Sequence, residues 1–231
     1  MRLVIKKDKK ISEDEMQELQ RQFTDFMYEH AGITPTFFIE EHDYTTVPLV
    51  TDSDGDKKPT DAYRKAIADD VHSRYGEWGT DHIIILVHQD NWVYTGIWGT
   101  NWSNIFYSYH MELCRFDKRN MANSFGTLYH EVHHSLDALV KTTTGFDVNT
   151  LFTVRWDEIT HGKEPWKYIR YKENIESIEK IAPYLRQSYQ KRKELHDARV
   201  LQLNTVITLL QKIVLLTRTV LNRKDGVSRT P

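Results

Sequence analysis

The sequence is poor in cysteine. Cys114 is the only one in 231 residues, so an internal disulfide is excluded, while nothing follows about compartment. Net charge is also small: 31 Lys and Arg against 33 Asp and Glu give −2. That leaves no electrostatic case for nucleic acid as the main partner. Long apolar runs are missing as well. Leu3-Val4-Ile5 is too short for the core of a signal peptide, and no stretch reads as long and clean enough for a membrane span, with Gln202, Asn204, Gln211, Lys212 and Arg218 interrupting the most apolar segment. The expectation is a cytoplasmic product, although a protein released by lysis or a non-classical route would look the same. A hydrophobic share of 39% with 12% aromatics is enough for a packed core. The length fits one domain with an appendage.

The stretch richest in chemistry is Tyr129-His130-Glu131-Val132-His133-His134-Ser135-Leu136-Asp137. It contains His-Glu-x-x-His as His130, Glu131 and His134. On a helix, residues four apart lie nearly above one another, so two imidazoles can grip one metal ion from a single face. Glu131 sits about 100° around the helix, placed to reach a water on the metal but not to ligate it. Phe125, Leu128, Val132, Leu136 and Leu139 form a buried stripe on a different line, with Asn123 or Ser124 able to cap the start. Asp137 falls on the ligand side, where a carboxylate can hold an imidazole N–H. His133 faces away and reads as an ordinary histidine. Such short motifs also arise by accident; here the helical context supports the metal reading.

This helix resembles that of the zincin metallopeptidases, and His-Glu-x-x-His-x-x-Asp is similar to the active-site helix of lethal-factor-type gluzincins. A metzincin would carry Gly at 137 and His or Asp at 140, where this chain has Asp137 and Val140. The resemblance implies Zn²⁺ as cofactor, a peptide or protein substrate, and an α+β fold: a mixed twisted sheet with backing helices ahead of the metal helix. It also implies an edge strand beside the cleft that holds substrate by strand addition. Residues 96–110 are the candidate, unless Trp98 and Trp102 simply pack a hairpin.

Local patterns supply the other elements. Leu3-Val4-Ile5 reads as a first strand. Ser12 and Glu15 form a capping box for a helix with Met16, Leu19, Phe23, Phe26 and Met27 inward, ending near Gly32. Thr36–Ile39 is a second strand. Asp52, Asp54 and Asp56 have the opening spacing of a calcium loop, but Lys57 stands at the required glycine and Tyr63 at the bidentate glutamate, so the loop reads as a solvated turn. Thr60 caps a second helix with Tyr63, Ile67, Val71 and Tyr75 inward and Gly76 at its end. His82–His88 is apolar enough for a central strand buried on both faces. Val93–Gly99 and Ile105–His110 read as two more strands. Residues 141–172 show little periodicity and read as a functional loop. Helical patterning then resumes near Lys172, with a break or kink at Pro183.

A catalytic zinc takes a third protein ligand. By the gluzincin resemblance this is a glutamate on a later helix, and Glu173, Glu176 and Glu179 all qualify. Glu173 is preferred, being at the helix start beside an aromatic loop. His161 is the rival ligand, or else an oxyanion donor together with Tyr168, which precedes Glu173 as a tyrosine does in that family; Tyr171 shares the second position. The reading is therefore a zinc peptidase in which Glu131 activates water. The alternatives are an inactive binding module on the same scaffold, or an assembly-associated peptidase anchored by its last helix. That helix carries Val200, Leu203, Ile207, Leu210, Val214 and Leu221 at heptad spacing, widened by Val206, Ile213 and Val220. The expected organisation is a zincin-like domain over 1–189, a helical appendage over 190–223 and a tail over 224–231. Residues 200–221 would mediate homo-oligomerisation or receive a partner helix, with Ile207, Leu210 and Val214 buried.

Overall fold

The computed structural model describes residues 1–44, 47–51, 55, 57–76, 78–92, 99–104, 109–159 and 172–227; at 57–58, 100–104, 109, 157, 172–173 and 220–227 the backbone alone is described. The chain divides into two compact units, Met1–Arg192 and Lys193–Pro231.

The first unit is mixed α/β. Its strands are β1 (Arg2–Asp8), β2 (Thr36–His42), β5 (His82–His88), β6 (Gly99–Asn104) and β7 (Tyr109–Phe116). They form one sheet in the order β2-β1-β5-β7-β6. The first four run parallel, and β6 pairs antiparallel with β7 at the edge. A separate hairpin joins β3 (Leu49–Thr51) and β4 (Lys57–Pro59). Asp52, Asp54 and Asp56 lie outside the described residues.

Parallel strands joined by crossover helices bury both faces of a sheet, and β5 is buried along its whole length. The period of two divides it. Ile84 and Leu86 join Leu3, Ile5, Cys114 and Phe116 against α1 (Glu13–Ala31), α3 (Met121–Thr144) and the start of α4 (Lys172–Val227). Ile83, Ile85 and Val87 join Val4, Met111 and Leu113 against Ile67 and Val71 of α2 (Asp61–Tyr75).

Local signals set the helix ends. The Ser12–Glu15 capping box is formed and Gly32 closes α1 in the left-handed conformation, which glycine adopts without steric cost. All five residues expected inward on α1 are buried. Thr60 caps α2, Gly76 ends it, and Ile67 and Val71 are buried, while Tyr63 and Tyr75 are only half-buried.

Several expectations are corrected. The cap of α3 is Asn120, whose side chain accepts from the Asn123 amide; Asn123 and Ser124 lie inside the first turn. The strands after β5 are Gly99–Asn104 and Tyr109–Phe116, so residues 100–104, between the two expected strands, are themselves in a strand. Of the segments read as strands, 93–98 and 105–108 lie outside the described residues. Helix α4 runs through Pro183 without a break, with buried Ile178, Ile181, Ala182 and Leu185 on either side fastening it to the core. In the second unit, Ile207, Leu210 and Val214 are 52, 56 and 51% exposed in the single chain. By length and composition alone, the stretch within Asn174–Thr219 could cross a membrane.

Candidate metal centre

Helix α3 carries the predicted stripe inward: Phe125, Leu128, Val132, Leu136 and Leu139 are all buried. Its rotation is fixed from behind as well. His133 is fully buried and stacks on Trp156, ring centroids 3.9 Å apart and planes 10° from parallel. The indole of Trp156 donates to the His133 carbonyl at 2.7 Å, and its amide donates to Asn149 Oδ1 at 2.7 Å. The described part of the irregular stretch after α3 thus packs against the helix face turned away from His130 and His134.

With that face held, His130 and His134 stand together half-buried on another side. Their Nε2 atoms are 3.0 Å apart, ring centroids 4.4 Å, planes at 80°. Two nitrogens on a tetrahedral zinc, each about 2.0–2.1 Å from the ion, lie about 3.3–3.4 Å apart. Opening the pair by a few tenths of an ångström, within reach of small side-chain rotations, would admit the ion. The same spacing also suits an N–H···N hydrogen bond between the rings. Asp137, one turn on, accepts from the Ala138 amide at 2.6 Å.

Glu131 is only 4% exposed. Burial pushes its carboxyl well above the usual range, and the charge of Glu112 adds to the rise. Over it lies the first residue of the edge strand: a Cβ on Gly99 would stand 2.4 Å from Glu131 Oε1. Only glycine lets β6 come this close. Gly99 is in register with Cys114 of β7, whose thiol burial raises strongly, with Glu131 and Glu112 adding. A thiol so placed is inert.

Beneath the helix runs a buried polar chain. Glu112 Oε1 accepts from Ser135 Oγ at 2.8 Å and meets His82 Nδ1 at 2.8 Å; His82 Nε2 meets the Tyr189 hydroxyl at 3.1 Å. Ser135 follows His134 directly, so this chain ties the ligand turn of α3 to β7, β5 and α4. At its end Arg192 pairs with Asp81 and donates to the Thr80 carbonyl at 2.8 Å. Neither Gly99 nor Glu112 is identifiable from the sequence expectations, because the strand expected at 105–110 stops short of Glu112. The available signal was the alternation His110-Met111-Glu112-Leu113-Cys114, which puts Glu112 in one row with Cys114.

The other predicted site residues fare differently. His161 and Tyr168 lie outside the described residues, as does the side chain of Glu173. Glu179 Oε1 lies 3.0 Å from His30 Nδ1 at the end of α1. Glu176 is exposed and lines a shallow cleft with Phe152, Ile159 and Lys180. Among the described residues no group of three His, Cys, Asp or Glu side chains converges as a metal site. No known protein family, curated protein or solved structure matches this chain.

Proposed function

We propose that the chain is a zinc-dependent metallopeptidase of the zincin kind. The observation that carries the proposal is the convergence of the His130 and His134 Nε2 atoms at 3.0 Å beside a buried Glu131 lying under an edge strand. Zinc bound there supplies a Lewis acid for a water and for the scissile carbonyl. The two imidazoles hold it from one helix face. Glu173 completes the set, with Glu176, Glu179 or His161 as the alternatives, and His161 or Tyr168 donates to the oxyanion. Glu131 takes a proton from the water and returns it to the leaving amine. Burial makes this carboxyl a strong base, and a cation on the neighbouring imidazoles favours its charged form. The Ser135–Glu112–His82 chain keeps the ligand turn in place. The outer edge of β6, unpaired among the described residues, offers backbone groups to an extended peptide, and a peptide or protein is the substrate class. The exposed apolar helix of the second unit supports a variant of this reading, in which the peptidase works while attached to an assembly.

Glu131→Gln tests the reading. The substitution keeps shape and both imidazoles, so zinc should remain bound while hydrolysis of casein or a mixed peptide library falls by the roughly 10²–10⁴ expected of a general base. Unchanged turnover would remove Glu131 from the mechanism.

A further inference from the structure

The turn of α3 that carries His134 is gripped at both of that residue's neighbours. Before it, the His133 carbonyl accepts from Trp156 Nε1 at 2.7 Å. After it, Ser135 Oγ donates to Glu112 Oε1 at 2.8 Å. The second anchor does not end at Glu112. Its Oε1 meets His82 Nδ1 at 2.8 Å, and His82 Nε2 meets the Tyr189 hydroxyl at 3.1 Å. Burial holds the Tyr189 phenol far above its ordinary pKa, so it keeps its proton and donates to Nε2. The ring proton of His82 then sits on Nδ1, facing Glu112.

Four elements meet in this chain: α3, β7, β5 and α4. Ser135, Glu112, His82 and Tyr189 are between 0 and 7% exposed, among Cys114, Leu136, Leu139 and Leu185 of the core. Apolar side chains would be buried there at less cost, since a polar group taken from water has first to regain its hydrogen bonds. What the polar groups add is direction and distance. Apolar contacts tolerate a small slide of a helix, whereas a hydrogen bond holds its length to within a few tenths of an ångström. The metal pair needs that tolerance. The His130 and His134 Nε2 atoms are 3.0 Å apart, and a zinc ion asks for about 3.3–3.4 Å. Helix α4 also grips the last turn of α3. Thr143 Oγ1 donates to Ser188 Oγ at 2.8 Å, and Lys191 Nζ donates to the Thr143 carbonyl at 2.6 Å.

We infer that Tyr189, acting through His82 and Glu112, is a positioning residue for the His130/His134 pair, so that zinc affinity is coupled to the docking of α4. The inference rests on the reading of that pair as metal ligands. Coupling of this kind is reciprocal: loosening the Tyr189 end weakens zinc binding, and zinc tightens the Tyr189 end.

A double-mutant cycle on zinc affinity tests it. The zinc dissociation constant is read by competition with a chromophoric chelator, and melts of the metal-free chains check folding. Ser135→Ala cuts the chain beside His134 and should weaken zinc about 10–100-fold. Glu112→Gln takes its place should that variant not fold. Tyr189→Phe removes one oxygen from the far end and should weaken zinc by less. With the chain already cut, the phenylalanine adds nothing, so the double variant should match Ser135→Ala within about twofold. A merely structural Tyr189 would lower the metal-free melting temperature and leave the zinc dissociation constant of Tyr189→Phe equal to that of wild type. That result overturns the coupling alone, as do losses that multiply in the double variant. Wild-type chain that binds no zinc overturns the metal reading, and the coupling with it.

Discussion

On the proposed peptidase reading, adding one methyl group at Gly99 should abolish most hydrolysis without unfolding the chain. A Cβ at this position would lie 2.4 Å from Glu131 Oε1, 2.7 Å from Cγ and 2.8 Å from Cδ, whereas ordinary contact begins at 3.4 Å. The Gly99 backbone is in an ordinary strand conformation that alanine shares, so the substitution costs little in backbone strain. The whole effect falls on the Glu131 carboxyl, which has to retreat by about 1 Å. Retreat is hindered by burial. Displacing a catalytic group by about 1 Å costs on the order of 10²-fold in rate, and overpacking a buried position costs about 1–3 kcal/mol. Because the displaced group is the end of a flexible side chain, the lower figure is expected. Gly99→Ala should therefore keep its zinc, melt within a few degrees of wild type, and hydrolyse a mixed peptide library about 100-fold more slowly. Full activity in Gly99→Ala, with Glu131→Gln inactive, would refute the placement of Glu131 under β6 during turnover.

Arg192→Met should leave Asp81, 2% exposed, without its side-chain partner, with only the Arg2 amide and the N-terminal amine to balance the buried charge. Breaking such a pair costs about 3–5 kcal/mol, or about 6–20 °C in Tm at this chain length, and a thermal melt unchanged from wild type would contradict it. Acid should weaken the fold through Glu40. Burial alone would raise this carboxyl, but Arg74, Lys6 and Tyr75 donate to it and hold it at about 2. A carboxyl depressed in the folded state stabilises above its unfolded pKa, and that stability is lost as the pH falls through the folded value. Denaturant titrations should therefore lose about 1–2 kcal/mol between about pH 5 and pH 2 on account of Glu40, discounted for partial solvation, and Glu40→Gln should flatten that limb. An identical pH slope in the variant would assign the acid limb to other groups.

What could be read from the sequence was set by how local the physics is. The ends of α1 follow from Ser12, Glu15 and Gly32, each acting within one turn, and the central place of β5 from an apolar run too long for a one-sided strand. The His130/His134 face follows from helical period alone. The edge strand β6 falls inside the expected 96–110, but the bounds of the strands there were missed because strand propensity depends on context. Asn101 and Ser103 look like turn residues until their register against Glu112 and His110 is known. Gly99 and Glu112 owe their roles to that same register, which joins segments far apart in sequence. Pro183 predicts a break, yet the buried residues flanking it outweigh the cost of one lost helical hydrogen bond. The a and d pattern of the last helix was legible from spacing alone.

The most direct test of the central claim is zinc content together with X-ray absorption at the zinc edge, measured on wild-type protein and on His134→Ala. The account predicts close to one zinc per chain in the wild type, with at least two imidazole nitrogens at about 2.0–2.1 Å, and loss of the metal in His134→Ala. Wild-type protein that stays metal-free in the presence of zinc, with His130 and His134 still hydrogen-bonded to each other, would contradict it, as would full zinc occupancy in His134→Ala.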